Sequence, residues 1–142
     1  AEIHVHCDEL WAARAGGDTS VFADDLVDDA GRPFAFCEVS GEYEIAWGVS
    51  AVMTPGHTAG HMSMLIELPK GRPVLLAGDA ADLQENLDDE IAPGGLVEGG
   101  HDQAVASIRK LKALAQETDA WIWPNHDWSF FLDLRPFPEA YS

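Results

Sequence analysis

The chain has 142 residues and a formal net charge of −17, from 25 Asp and Glu against 8 Lys and Arg. This acidic balance disfavours nucleic acid and anionic membrane surfaces as partners. A hydrophobic fraction of 46% argues against intrinsic disorder and is enough for one domain with a core. Two cysteines are too few for a disulfide scaffold, so we expect free thiols in a cytoplasmic protein.

The first third of the sequence predicts short strands around one helix. Alternating apolar and polar residues over Ile3–Cys7 predict a strand, and Asp8 can cap a helix that ends at Gly16-Gly17. Residues 18–33 are acidic and turn-rich, which predicts a loop or a short surface helix. Two more strands, separated by a turn, are expected over Phe34–Val39 and Tyr43–Trp47.

The rest of the sequence predicts a sheet and one long helix. Strands are expected over Val49–Thr54, Met62–Leu68, Pro73–Ala77 and Trp121–Trp123. The acidic stretch Leu83–Pro93 predicts irregular structure. Asp102 can cap an amphipathic helix whose apolar residues are Val105, Ile108, Leu111 and Leu114. The tail around Phe137 is too apolar for a free end, and we expect a single unit without an internal boundary.

Three polar residues come directly after predicted strands. His57 lies in the bend Thr-Pro-Gly-His-Thr-Ala-Gly-His, Asp79 follows the buried strand in Gly-Asp-Ala, and His126 follows the last strand in Pro-Asn-His-Asp. Imidazole and carboxylate groups are ligands for zinc and similar ions. Taken singly, each residue is more commonly an exposed loop histidine or a turn former. Their joint order at strand ends predicts a metal site.

The pattern from about Val49 to the C terminus resembles the metallo-β-lactamase superfamily and, within it, the N-acyl homoserine lactone hydrolases. The resemblance implies the αβ/βα sandwich of that family, an α/β fold, with residues 1–142 as its C-terminal portion. It implies two divalent metal ions, zinc, with His57, Asp79 and His126 as ligands and Asp79 bridging the ions. His61 and Asp127 are then expected to orient ligands or to stabilise the structure.

The family carries a His-x-His-x-Asp-His motif upstream, and no complete copy occurs here. The segment His4–Glu9 matches it superficially, with Glu9 in place of the last histidine. Only three residues precede His4, whereas the family motif follows a buried strand. We therefore expect His4–Glu9 to be the strand and helix that come after the motif. A self-contained metal site at His4 and His6 is the alternative.

The implied chemistry is the opening of lactone esters, with N-acyl homoserine lactones as substrates, by a metal-bridging hydroxide. Asp79 and Asp82 are the candidate catalytic residues, with Asp79 as proton carrier. Some relatives have a tyrosine at the position of Asp82, and a carboxylate donates a hydrogen bond only when it is protonated. Alternatives are a hydrolase of another ester, a thioester or a β-lactam, and an inactive fragment that lacks the first metal motif.

The implied partners are a small-molecule ester or lactone and the N-terminal half of the same enzyme. Formation of a homodimer stays open. Several aromatic residues near His126 are candidates for an acyl-chain pocket or for the core, namely Trp121, Trp123, Trp128, Phe130 and Phe131.

Overall fold

The computed structural model describes residues 3–15, 31–32 and 34–134. The predicted loop over residues 18–33 falls almost wholly outside the described residues, as do Gly16-Gly17 and the tail around Phe137. The strands in chain order are β1 (Ile3–His6), β2 (Phe36–Val39), β3 (Tyr43–Ala46), β4 (Val49–Met53), β5 (Met62–Ile66), β6 (Val74–Leu76) and β7 (Trp121–Trp123). The α-helices are α1 (Cys7–Ala15), α2 (Gln84–Asp89), α3 (His101–Thr118) and α4 (Trp128–Asp133).

The described residues form two sheets. β1 and β2 pair in parallel, and a five-stranded sheet has the order β3-β4-β5-β6-β7. The first four strands of the larger sheet are antiparallel, whereas β7 is parallel to β6. The chain reaches β7 through α2 and α3, because a parallel neighbour needs a crossover connection. β6 and β7 therefore end at the same edge of the sheet.

One face of the larger sheet packs against helices α2 and α3. The residues of this core include Val52, Leu75, Leu87, Ile108 and Leu111. Ile108 and Leu111 are fully buried, which agrees with the apolar spacing that predicted the helix. This packing anchors the ends of β4 and β6, from which the candidate ligands project.

The opposite face of the same sheet is also apolar. Side chains alternate along a strand, so Met62 and Met64 of β5 share this face with Leu76 of β6 and Trp123 of β7. α4 covers part of it, since Phe130 contacts the rings of both Trp121 and Trp123. Met64 remains 41% exposed. A sheet with two apolar faces is typical of the inner layers of a sandwich.

Three local predictions were wrong. The stretch Leu83–Pro93 contains α2, where the side chain of Asn86 accepts a hydrogen bond from the amide of Leu83 and begins the helix. Gly100 is the residue before α3, and Asp102 lies inside its first turn instead of capping it. Asp8 likewise lies within α1, which begins at Cys7.

Within the described residues, none of the helices is both long and apolar enough to span a membrane.

Candidate metal centre

The bend that carries His57 is closed by its own main chain. The amide of Thr54 donates to the carbonyl of His61 at 3.0 Å, and the amide of Gly56 donates to the carbonyl of Thr58 at 3.0 Å. Gly56 has φ +136°, and a Cβ there would overlap the main chain of Ala104 in α3. A glycine is therefore required where the bend meets the helix.

His57 is oriented by the loop that precedes α3. Its Nδ1 lies 3.3 Å from the carbonyl oxygen of Gly94, and its own carbonyl accepts from the amide of Val97 at 3.1 Å. Because a carbonyl oxygen only accepts, Nδ1 is the donor in this contact, which leaves Nε2 as the nitrogen that faces the cluster. That Nε2 lies 3.7 Å from Oδ2 of Asp79. A ligating histidine is commonly oriented by such a carbonyl.

Asp79 lies in a short 3₁₀ turn, Gly78–Ala80, directly after β6. Its Oδ1 accepts a hydrogen bond from Nδ2 of Asn125 at 2.7 Å and lies 3.1 Å from Nε2 of His126. Burial works to raise the pKa of Asp79, but the Asn125 hydrogen bond, the nearby His57 and the contact with His126 together hold this pKa below its ordinary value. The side chain is therefore an ionised carboxylate near neutral pH.

His61 binds the protein itself through both ring nitrogens. Nδ1 donates to Thr54, whose carbonyl and hydroxyl oxygens lie at 3.0 and 2.9 Å, and Nε2 accepts from the amide of Asp79 at 3.0 Å. Burial lowers the pKa of His61 although the hydrogen bond to Thr54 opposes this, so the ring is neutral. The Thr54 hydroxyl pairs with Ser63, which donates to the carbonyl of Ala77. His61 thus joins the ends of β4 and β6.

His126 is placed by the turn after β7. Its amide donates to the carbonyl of Asp82 at 2.8 Å, and the amide of Asn125 donates to the carbonyl of Ala81 at 3.0 Å. These bonds bring the turn against the segment that follows Asp79. One ligand atom from each of Asp79, Asp82 and His126 lies within 4.8 Å of the others. The His126 side chain is 64% exposed, so the cluster is open on one side.

The donor set fits a divalent metal ion. His57 and His126 offer imidazole nitrogens, and Asp79 and Asp82 offer carboxylate oxygens, which are the ligand types that zinc and similar ions accept. Among these residues, Asp79 lies between the two histidines. Its Oδ2 faces His57 and its Oδ1 faces His126. This arrangement suits a carboxylate shared between two ions.

Two neighbours of His126 have structural roles. Asp127 caps α4 through the amide of Phe130 and also accepts from the amide of Gln84 at 3.0 Å, and these amides hold its pKa below the ordinary value. Asn125, which sequence reasoning did not select, donates to Asp79. The signal for Asn125 was available, since it stands immediately before a candidate ligand at a strand end.

The segment His4–Glu9 does not join this cluster. The Nδ1 atom of His4 lies 3.1 Å from the Tyr43 hydroxyl, and the buried His6 accepts from the amide of Gly41 at 3.1 Å. His6, Cys7 and Asp8 form a separate group of donors within 4.8 Å of one another. As expected, His4–Glu9 forms the strand and the first turn of the helix.

Comparisons with known proteins extend this description. No family model matches the chain. An N-acyl homoserine lactonase from a Bacillus species is 37% identical over 101 residues, which are 71% of this chain and 39% of that relative. A solved N-acyl homoserine lactone hydrolase, with the product N-hexanoyl-L-homoserine bound at its catalytic metal center, has a TM-score of 0.75 and 28% identity. The match covers 98% of this chain and 52% of that chain.

The hydrolase AbOPH of the beta lactamase superfamily shares the fold alone, with a TM-score of 0.62 at 20% identity over 97% of this chain and 49% of that chain. The chain therefore spans about two fifths of the curated relative and about half of the solved chains. The predicted α/β fold of the metallo-β-lactamases is confirmed. The chain is similar to N-acyl homoserine lactonases over 71% of its length, and its fold is that of the metallo-β-lactamases.

Proposed function

We propose that the protein hydrolyses lactone esters, with N-acyl homoserine lactones as the substrate class, and so quenches quorum signals. The observation that carries the proposal is the convergence of His57, Asp79 and His126 on one opening at the sheet edge. The similarity to lactonases over 71% of the chain supports the same conclusion.

We infer that His57, Asp79 and His126 hold two divalent ions, zinc, with Asp79 shared between them. When bound, such ions lower the pKa of water and polarise an ester carbonyl, which is the chemistry that lactone opening needs. The protein holds its donors in place beforehand. Gly94 fixes the ring of His57, and Asn125 fixes Oδ1 of Asp79.

Asp79 and Asp82 are the proposed catalytic carboxylates. The attacking water gives up a proton and the departing alkoxide needs one, and the ionised carboxylate of Asp79, at the centre of the cluster, would take the first proton and pass it to the alkoxide. Asp82 places a second carboxyl group beside His126. A carboxylate accepts hydrogen bonds and donates one only when it is protonated, so Asp82 does not polarise the carbonyl as a phenol would. This is the one observation that favours the second candidate, a hydrolase of another ester or a thioester.

The acyl chain has a candidate groove beside the cluster. A cavity of about 330 Å³ lies over the outer face of the five-stranded sheet, which is the face opposite helices α2 and α3. Its apolar lining includes Met62, Leu76, Trp123, Phe130 and Phe131, and it reaches Gly78 and Asn125 next to Asp79. We propose that an N-terminal half of the same enzyme covers the remainder of this face and completes the site. The apolar character of the face and the coverage of about half of the solved chains support this proposal.

A pH-stat assay of the full-length protein tests the activity. The substrates are short-chain and long-chain N-acyl homoserine lactones beside an aryl ester, a thioester and a β-lactam, each with and without added zinc. We expect one acid per lactone opened and negligible release from the β-lactam. Turnover of the aryl ester or thioester with no lactone opening would favour the second candidate, and no turnover of any substrate would favour an inactive protein with this fold.

A further inference from the structure

Helix α1 contacts the metal-binding bend through one side chain. The carboxylate of Glu9 accepts a hydrogen bond from the amide of Gly60 at 2.9 Å, across 51 positions of sequence. Glu9 is half-buried and Gly60 is buried. A carboxylate that accepts a main-chain N–H forms one of the stronger hydrogen bonds of a protein.

The main chain of Gly60 also packs closely against Glu9. A Cβ added to Gly60 would lie 2.6 Å from both the Cβ and the main-chain nitrogen of Glu9. The last turn of the bend therefore lies directly against the helix, with no space for a side chain between them. The contact fixes the distance between the bend and the helix as well as the direction of the Gly60 amide.

Gly60 immediately precedes His61 and lies three residues after His57. Its amide donates outside the bend, whereas the amides of Thr54 and Gly56 donate within it. His61 in turn accepts from the amide of Asp79. A displacement at Gly60 would therefore move the ring that holds the Asp79 main chain and the bend that presents His57.

We propose that Glu9 is a positioning residue of the metal centre, which holds the His57 bend in place for metal binding. The inference rests on the proposed function, because it takes His57 and Asp79 as metal ligands. Glu9 is itself no ligand here, although it occupies the last position of the His4–Glu9 segment that imitates a metal motif. Its carboxylate instead accepts the hydrogen bond from the Gly60 amide.

The test compares Glu9→Ala, Glu9→Gln and the control Asp8→Ala in the full-length protein. Asp8 lies on the same helical turn, and its carboxylate is 63% exposed. Zinc affinity is measured by chelator competition, and global stability by urea unfolding. Removal of a group that orients ligands typically weakens metal binding by about 10–100-fold. We expect a loss of about tenfold for Glu9→Ala, a smaller loss for Glu9→Gln, which keeps an acceptor oxygen, and wild-type affinity for Asp8→Ala.

If Glu9 acts through the metal centre, saturating zinc should restore kcat to the folded Glu9→Ala variant. A role confined to folding does not predict this recovery. In the metal-free variant, faster exchange of the Gly60 amide and shifted imidazole resonances of His57 should be visible by NMR. Unchanged zinc affinity and unchanged Gly60 exchange in Glu9→Ala would overturn the proposal while leaving lactone hydrolysis intact. Zinc binding that depends on Glu9 in a protein that opens no lactone would overturn the proposed function alone.

Discussion

The main-chain amide of Asp79 donates a hydrogen bond to Nε2 of His61 at 3.0 Å. The second histidine of the motif is thus used to position the central carboxylate, and its other nitrogen is bonded to Thr54. Both ring nitrogens of His61 are therefore engaged within the protein, and neither is available to bind a metal ion. His57, three residues before Gly60, keeps its Nε2 towards Asp79. The two histidines of one short bend therefore have different roles.

The first prediction concerns the shared carboxylate. Asp79→Asn keeps the shape and the main-chain bond to His61 but removes the charge that faces both histidines. Since loss of an orienting group alone costs about 10–100-fold in metal affinity or activity, we expect loss of this ligand to cost more than about 100-fold. Elemental analysis and pH-stat turnover of the full-length variant measure both quantities. Near wild-type turnover with two bound metals would rule out the bridging role.

The second prediction separates the two groups of histidines. His57→Ala and His126→Ala should each lower the metal content of the purified protein, because both rings adjoin Asp79. His4→Ala is the matched control, since His4 is exposed and contacts Tyr43 instead. Elemental analysis of the three variants decides the matter. If His4→Ala removes metal as effectively, the segment His4–Glu9 supplies a metal ligand.

The third prediction tests the approach of His61 to the turn that carries Asp79. Gly78 has φ +57°, and a Cβ there would lie 2.9 Å from Nε2 of His61. Gly78→Ala should therefore destabilise the fold by about 1–3 kcal/mol through backbone strain and also weaken metal binding. Gly41→Ala is the control, because Gly41 has φ +71° with open space around the added atom. Equal metal affinity in both variants would show that the His61 contact is dispensable.

The fourth prediction is a dependence on pH at the end of α2. Hydrogen bonds from Arg109 and Lys112 hold the pKa of Glu90 below its ordinary value of 4.5. A lowered folded-state pKa adds stability above pH 4.5, and this contribution disappears as the pH falls through the folded-state value. Glu90→Gln should therefore be less stable than wild type at pH 7 and approach it in acid.

Urea unfolding at low salt measures this difference, since added salt would screen exposed charges. Glu117→Gln on the surface of α3 is the control. A difference between wild type and Glu90→Gln that is the same at pH 7 and in acid would exclude the ion pairs as its cause.

The fifth prediction tests whether further protein covers the outer face of the sheet. Met64 is 41% exposed here, so Met64→Asp would be tolerated on a free surface. In a covered face, the substitution buries an unpaired charge and should destabilise the full-length protein by about 2 kcal/mol or more. Lys70→Asp, in the exposed turn between β5 and β6, is the control. Equal stability of the two variants would contradict the proposed partner half.

Much of the fold could be predicted because its signals are local. The alternation in β1, the apolar run of β6 and the spacing of Ile108 and Leu111 each depend on neighbours along the chain. The errors were also local in origin. α2 is acidic and short, and it is stabilised by the buried Leu87 and by capping from Asn86, which composition alone does not reveal.

The sequence by itself determined that His57, Asp79 and His126 follow strands, since each stands directly after an apolar run with turn residues beside it. Only the tertiary structure decided which groups hold them. The Asn125 bond to Asp79 spans 46 positions, and the Glu9 bond to Gly60 spans 51. Such contacts depend on the sheet order and on how α1 packs against the bend. Because hydrogen bonds act over about 3 Å, pairs this distant in sequence are visible only once the chain has folded.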